Sequence, residues 1–194
     1  ENYVGAAPDE LSFEVIWIGF WVPTPDTLDP TQVTNTFFDA GSDVVVSGID
    51  PQDALIVAGQ RRSQGDDVFA VPYDYEGACN TAPEACLGIP YFHWGPSYLD
   101  VVESVRAGEF EQFWRWLGPD WADINDPDTT TIGWRDGAAL DGEDAEQLDA
   151  FIQEMSAFQT DPENEGRFFL WDGPLSFQDG TTLVEEGDFV EPLE

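Results

Sequence analysis

The stretch that decides the fold class begins with the apolar run Asp43-Val-Val-Val-Ser-Gly48 and ends with the run Asp67-Val-Phe-Ala-Val-Pro-Tyr73. Both runs are short and rich in valine, which is typical of buried strands. Between them, Asp50-Pro51 is expected to cap a helix over residues 52–63 that ends at Gly65. A strand, a helix and a strand in this order predict a parallel sheet with a right-handed crossover.

The same pattern extends toward the start of the chain. Phe13-Glu-Val-Ile-Trp-Ile-Gly19 predicts a further buried strand, and Asp29-Pro30 opens a helix that runs through Phe38 and stops at Gly41. The fold class is therefore α/β, with a parallel sheet flanked by helices. In such sheets ligands bind at the carboxyl ends of the strands, which here carry 19–21, 47–50 and 72–75.

The second half of the chain alternates helices with short extended runs. We expect an extended run over 88–95, a helix from Pro96 to Ala107 stopped by Gly108, and an acidic loop over 119–130. Extended structure resumes at 131–134, a long helix covers about 143–158, and 167–171 pairs with 181–184 as a hairpin. We divide the chain into a ligand-binding lobe, 1–130, and a region of crossover strand, long helix and hairpin, 131–194.

The chain is strongly acidic. Its 194 residues include 40 Asp and Glu against six Arg and no Lys, which gives a formal net charge of −34. Such a charge repels phosphate backbones and anionic headgroups, so we expect no nucleic-acid or membrane-surface partner. A cation, or a neutral ligand held by stacking and hydrogen bonds, fits better. A dense carboxylate surface is typical of high-salt habitats, although a GC-rich genome that favours Arg codons would also reduce Lys.

Two cysteines, Cys79 and Cys86, flank a short loop that contains Pro83. They can close a small disulfide ring, and the alternatives are two free thiols or half of a metal site. His93 is the only histidine, so a structural zinc site has too few ligands. We therefore predict a disulfide, no metal and an oxidising compartment.

Motifs of catalysis are missing from the sequence. It has no G-x-S-x-G elbow, no H-E-x-x-H, no P-loop, and no Gly-rich dinucleotide loop after the first strand. A carboxylate pair for glycoside hydrolysis stays open in so acidic a chain, but nothing selects a pair. The run Asp123-Ile-Asn-Asp-Pro-Asp-Thr129 has the closely spaced oxygens of calcium sites without the EF-hand spacing. We expect a solvated acidic loop, no cofactor and no enzymatic activity.

Five segments occur in an order known from one protein family. They are Val15-Ile-Trp-Ile-Gly-Phe-Trp21, Ala40-Gly-Ser-Asp-Val-Val45, Ala70-Val-Pro-Tyr-Asp-Tyr75, Ile89-Pro-Tyr-Phe-His-Trp-Gly-Pro96, and Gly173-Pro-Leu with Gln178-Asp-Gly180. The ordered set resembles the C-terminal half of basic-membrane-protein (BMP) family lipoproteins, the substrate-binding proteins of nucleoside ABC transporters. The resemblance implies a periplasmic-binding-protein type I-like fold, here mainly one lobe plus crossover segments.

The resemblance also implies which residues hold the ligand, a purine nucleoside or base bound between two lobes. Asp74 matches the strand-end acid that binds ribose hydroxyls, and Trp21 and Trp94 match aromatic positions that line the cleft. A carboxylate on two hydroxyls makes charge-assisted hydrogen bonds, and an indole face stacks on a purine. Three further candidates follow from position: His93, Trp134 and Asp136.

The function implied is extracytoplasmic capture of a purine nucleoside or related small molecule for an ABC transporter permease. We expect the protein at the cell surface or in the periplasm, as a membrane-anchored lipoprotein in its full-length form. The chain opens on Glu1-Asn2-Tyr3, which we interpret as a processed or partial chain, with the missing first lobe supplied upstream or by another chain. The alternatives are a cell-surface structural or assembly subunit derived from a binding-protein fold, and a secreted sugar-active hydrolase.

Overall fold

The structure, a computed structural model, describes residues 11–20, 24–112, 114–165, 167, 173–177 and 179–188. Over this part the protein is mixed α/β, with four α-helices and three small two-stranded sheets. The chain divides into two compact units, Glu1–Ala145 and Glu146–Glu194. The predicted mixture of helices and strands is confirmed, and in the described residues the parallel sheet is a single pair of strands.

The first unit contains the predicted strand-helix-strand segment. Its elements are α1 (Pro30–Asp39), β1 (Val44–Val46), α2 (Asp53–Gln64) and β2 (Phe69–Val71). β1 and β2 pair in parallel, with Val45 opposite Ala70. Both of these residues are buried, whereas Val44 and Val46 on the other face are exposed. The predicted parallel pairing is confirmed, but helices of the described part of the chain cover only one face of the pair.

Single residues set the helix ends. The Asp29 side chain accepts hydrogen bonds from the backbone N–H groups of Thr31 and Gln32, which begins α1. Gly65 ends α2 with a φ of 103°, a left-handed conformation that glycine adopts without steric cost. The predicted helix and its stop are therefore confirmed.

The core of this unit lies between α2, the parallel pair and the loop that follows β2. Leu55, Val57 and Ala58 of α2 are almost fully buried. A Cβ at Gly59 would lie 2.7 Å from the Ala82 side chain, so the helix approaches this loop too closely for any larger residue. Small residues at this contact therefore let α2 pack closely against the loop. They also make the core smaller than larger side chains would.

The predicted first strand is wrong. Residues 11–20 form no strand, and Phe13, Val15 and Trp17 are 82%, 70% and 84% exposed. The segment is held to the unit through a hydrogen bond from the Leu28 N–H to the Ile18 carbonyl. An apolar run forms a buried strand only where a neighbouring strand pairs with it, and β1 pairs with β2 alone within the part described.

The first unit also contains an antiparallel ribbon whose two strands are separated in sequence by a helix. β3 (Gly88–Phe92) pairs with β4 (Ile132–Asp136), and α3 (Gly95–Ala107) lies between them in sequence. α3 ends at Gly108 in a left-handed conformation, as predicted. Two isolated parallel bridges, Ala70 with Cys86 and Asp74 with Tyr91, connect the β2 region to β3. The predicted extended runs thus form their own ribbon, joined to the parallel pair.

The long predicted helix is present as α4 (Gly142–Thr160). In the second unit, β5 (Leu175–Ser176) and β6 (Thr182–Val184) form an antiparallel hairpin. The second arm of the predicted hairpin is confirmed, but its partner is β5, while most of the predicted first arm, 167–171, lies outside the described residues. Among the described residues, no helix is long and apolar enough to cross a membrane.

Candidate functional site

The carboxyl ends of β1 and β2 are joined by two side chains. Tyr73, two residues after β2, donates its phenolic hydrogen to Asp50 Oδ1 over 2.9 Å. Burial raises the pKa of the Tyr73 phenol to about 12, with further contributions from the hydrogen bond to Asp50 and from its charge. The predicted N-cap role of Asp50 is wrong, because the cap position of α2 is Gln52.

Asp74 has an unusual backbone conformation. Its φ is 80°, the left-handed region, and it is the only non-glycine residue with positive φ among the described residues. The Asp74 N–H donates to the Pro90 carbonyl (3.1 Å) and its carbonyl accepts from the Phe92 N–H (3.0 Å). Pairing with β3 therefore holds the residue in this conformation. Within the described chain its half-buried carboxylate makes no hydrogen bond or salt bridge, which leaves it available to a ligand.

Four aromatic side chains form a continuous line, here named the aromatic row. Its rings are Tyr73, Phe92, Trp94 and Tyr98, with successive centroids 6.0, 5.6 and 6.1 Å apart. Tyr73 meets Phe92 edge-on at 85°, whereas Trp94 and Tyr98 are nearly parallel, at 23°. These separations are typical of aromatic pairs that interact directly.

The row follows from local geometry. Phe92 is the last residue of β3 and Trp94, two residues later, is the N-cap of α3, and their ring centroids lie 5.6 Å apart. Tyr98 comes one helical turn after Trp94, and its N–H donates to the Trp94 carbonyl (3.0 Å). Phe92, Trp94 and Tyr98 are 39%, 56% and 65% exposed. A contiguous aromatic surface in contact with water is a common feature of binding sites.

His93 directly follows β3, and its contacts are with the residues that precede β4. Its backbone N–H donates to the Thr131 carbonyl (2.8 Å), and its ring Nδ1 lies 3.2 Å from the Thr130 carbonyl. Since a carbonyl only accepts, Nδ1 carries the proton and Nε2 is the acceptor in the neutral ring. The structure therefore places this candidate where it supports the strand before α3.

Trp134 and Asp136 contact each other and are not members of the aromatic row. The Trp134 indole N–H donates to Asp136 Oδ1 (2.7 Å). The indole covers Gly88, where a Cβ would lie 2.1 Å from the ring. Trp134 lies opposite Pro90 in the antiparallel register, and Gly88 is farther along β3 from Phe92 than Pro90 is. Because the indole covers Gly88, it extends away from the aromatic row. The structure gives these two candidates a packing role on the ribbon.

The acidic loop is ordered by its own carboxylates. Asp120, Asp123 and Asp126 each accept a hydrogen bond from the backbone N–H two residues later. Asn125 Oδ1 accepts hydrogen bonds from both the Tyr91 hydroxyl (3.0 Å) and the backbone N–H of Trp134 (3.1 Å), which fixes the loop to the ribbon. Across the described ranges, no group of three or more His, Cys, Asp or Glu is placed to hold a metal ion.

Hydrogen bonding also affects ionisation in this loop. The Thr129 hydroxyl donates to Asp120 Oδ2 (2.6 Å), and this bond, followed by that from the Ala122 N–H, lowers the pKa of Asp120 below its usual value of 3.8. A lower pKa keeps the Asp120 carboxylate ionised, and so able to accept these hydrogen bonds, to a lower pH.

The predicted disulfide between Cys79 and Cys86 is present, with a Cα–Cα distance of 5.4 Å. Cys86 is fully buried and belongs to the core, and the next residue, Leu87, donates its N–H to the Ala70 carbonyl (3.1 Å). The bond thus fixes the loop that leads into β3 and hence to the aromatic row. Trp21, the remaining sequence candidate, lies outside the described residues.

Trp94 is the third ring of the aromatic row and Asp74 directly follows its first ring in the chain, but the row also includes residues that the sequence did not single out. Phe92 and Tyr98 complete the aromatic row, and Asp50 anchors its first ring. The spacing of Phe92, Trp94 and Tyr98, two and then four residues apart, is the sequence signal that could have revealed them, given a strand that leads directly into a helix.

Comparison with known proteins finds that no family model matches the chain and that no curated protein matches it significantly. Function is therefore inferred from the residues and the geometry described above.

Proposed function

We propose that the protein is an extracytoplasmic solute-binding protein, of the BMP-like, periplasmic-binding type, that captures a purine nucleoside or a related small molecule for an ABC transporter. The observation that carries the proposal is the aromatic row beside Asp74, whose carboxylate has no protein partner within the described chain. Aromatic faces and a carboxylate are the two groups that a nucleoside requires, one for the base and one for the ribose.

The exposed rings supply the apolar part of recognition. Trp94 and Tyr98 present a wide, nearly parallel surface to solvent. A base stacked on such a ring gains about 1–3 kcal/mol, and the rings lose little conformational freedom because they already contact one another.

Asp74 supplies the polar part. Ribose offers two adjacent hydroxyl groups, and a carboxylate accepts from both through charge-assisted hydrogen bonds. The left-handed backbone at Asp74 sets the direction of this side chain, and β3 holds it there. Strain of this kind accumulates at binding sites, where surrounding structure maintains a conformation that the residue alone would avoid.

The proposed role involves no covalent chemistry. The ligand is captured outside the cytoplasm and released unchanged to a permease. The net charge of −34 disfavours phosphorylated ligands, so the proposal names a nucleoside and excludes nucleotides.

Native mass spectrometry on protein purified without added ligand tests the proposal first. A bound mass that matches a purine base or nucleoside, released on denaturation, would support it. Titration calorimetry with guanosine, adenosine and inosine then gives the affinity of the wild type and of two variants. We expect Trp94→Ala to weaken binding about tenfold. Trp114→Ala, the matched variant, should leave it unchanged, because Trp114 is 81% exposed and contacts Trp116 outside the row. Absence of binding to all three nucleosides would overturn the proposal.

A second candidate function, an assembly subunit, is favoured by one observation. α3 buries none of its residues, and its apolar residues Tyr98, Leu99, Val102 and Val105 lie on one exposed face. A defined oligomer by light scattering, together with no nucleoside binding, would support this function over the first.

A further inference from the structure

Two carboxylates stand at one end of the aromatic row. Asp50 accepts the hydrogen bond of Tyr73, and Asp74 directly follows this tyrosine in the chain. Both charges act on the Tyr73 phenol and disfavour its ionisation. The faces of Tyr73 and Phe92 therefore lie in a negative potential that no ion pair within the described chain cancels.

Arginine charges are engaged elsewhere. Of the six arginines in the chain, four form salt bridges that involve neither Asp50 nor Asp74: Arg61 with Asp39 and Asp66, Arg62 with Asp67, Arg115 with Asp100, and Arg135 with Glu76. Arg106 lies in the last turn of α3, two turns beyond Tyr98. Among the described residues, therefore, no salt bridge neutralises Asp50 or Asp74.

From this arrangement we infer that the aromatic row selects a positively charged heterocycle over its neutral counterpart. The inference rests on the proposed function, because it concerns the base that stacks on the same rings. A cation over an aromatic face is attracted by the ring quadrupole, and a nearby carboxylate adds to this attraction. A methylated or protonated purine carries such a charge in a ring of almost unchanged shape.

At the Trp94–Tyr98 end of the row, the local charge is weaker and positive. α3 begins at Gly95, directly after Trp94, and a helix N-terminus carries about half a positive charge. The two full carboxylate charges at Tyr73 outweigh this partial positive charge, so the electrostatic potential along the row becomes more negative toward Tyr73. The charge on a stacked base is therefore attracted toward Asp50 and Asp74, and the ribose remains bound to Asp74.

Guanosine and 7-methylguanosine form the decisive pair of ligands, since one methyl group and one positive charge distinguish them. Titration calorimetry of the wild type should show 7-methylguanosine binding about tenfold more tightly, within the range of a cation–aromatic contact. The preference should shrink as salt is raised, because the carboxylates are partly exposed and are screened.

Three variants test the origin of the preference. Asp74→Asn and Asp50→Asn each remove one negative charge at the row, and each should reduce the ratio of the two affinities severalfold. Asp128→Asn removes the same charge from an exposed position in the acidic loop and should leave the ratio unchanged. Circular dichroism checks that each variant is folded, and two variants at the row keep the test open if one of them does not fold.

The outcomes separate the inference from the proposed function. Equal affinities, or tighter binding of guanosine, would overturn the inference while the nucleoside-binding function stands. A tenfold ratio that survives in both row variants would also overturn it, because the carboxylates would then not be its source. Failure of both ligands to bind would overturn the proposed function and the inference together.

Discussion

The Tyr73 hydroxyl donates a hydrogen bond to the Asp50 carboxylate over 2.9 Å and thereby joins the carboxyl ends of the two parallel strands. This bond fixes the first ring of the aromatic row, since the phenol is held at its oxygen and contacts Phe92 at its edge. The strand ends and the aromatic row are therefore parts of one surface. The ionisation of the Tyr73 phenol can be used to monitor this surface.

Replacing Asp50 with Asn should lower the pKa of Tyr73 from about 12 while leaving it above the ordinary value of 10.0. The charge of Asp50 is removed, but burial, the largest cause, remains. Ultraviolet absorbance during an alkaline titration measures this change. Because the folded-state pKa is raised, its contribution to stability is complete below pH 10.0 and is lost as the pH rises through about 12. An unchanged titration in Asp50→Asn would contradict the assigned hydrogen bond.

At Asp74, backbone and side chain can be tested separately. Asp74→Gly and Asp74→Ala both remove the carboxylate, and each should weaken nucleoside binding by about 1.5–3 kcal/mol. Their stabilities should differ, because alanine in a left-handed conformation costs about 1 kcal/mol that glycine does not. Urea denaturation gives the stabilities and calorimetry gives the affinities. If both variants bind as the wild type does, Asp74 is not part of the site.

Removing the disulfide should destabilise the first unit. In Cys79→Ala/Cys86→Ala we expect a loss of about 2 kcal/mol in the free energy of unfolding, because the reduced chain gains conformational freedom in its unfolded state. Alanine at position 86 avoids placing a polar group in the fully buried position of Cys86. Denaturant titration of the variant and of the oxidised wild type measures the difference. Free thiols in the native protein, detected by alkylation and mass spectrometry, would disprove the bond.

The acidic loop should retain its structure in mild acid. The pKa of Asp120 is lowered by the Thr129 hydroxyl, so its contribution to stability is present above pH 3.8 and is lost as the pH falls through the lowered folded-state value. In Thr129→Val this pKa should rise toward 3.8. Carbonyl-carbon NMR during an acid titration resolves it. Asp179, whose pKa is lowered by Thr181 in the second unit, provides the internal comparison and should not change.

Features set by single residues could be predicted from the sequence. Asp29, Gly65 and Gly108 each determine a helix end through a local hydrogen bond or a left-handed backbone, and the structure has all three. The disulfide was predictable for the same reason, because two cysteines seven residues apart have few alternatives.

Features that depend on how separate segments pair could not be predicted from the sequence. Residues 11–20 have the composition of a buried strand, yet no strand lies beside them in the part of the chain that the structure describes, and composition does not reveal a missing neighbour. The aromatic row shows the same limit. Trp94 and Asp74 follow from strand ends, but the addition of Phe92 and Tyr98 depends on how β3 passes into α3.

The left-handed conformation of Asp74 has a consequence for how this position responds to selection. A population selected only for thermal resistance should drift toward glycine there, since glycine relaxes the backbone and nothing in the described fold requires the carboxylate. A population selected for ligand capture should keep the acid in spite of its conformational cost. A library randomised at this one codon and sorted separately for each property would therefore diverge, and the residue recovered by each sort would reveal which demand has maintained aspartate in the natural protein.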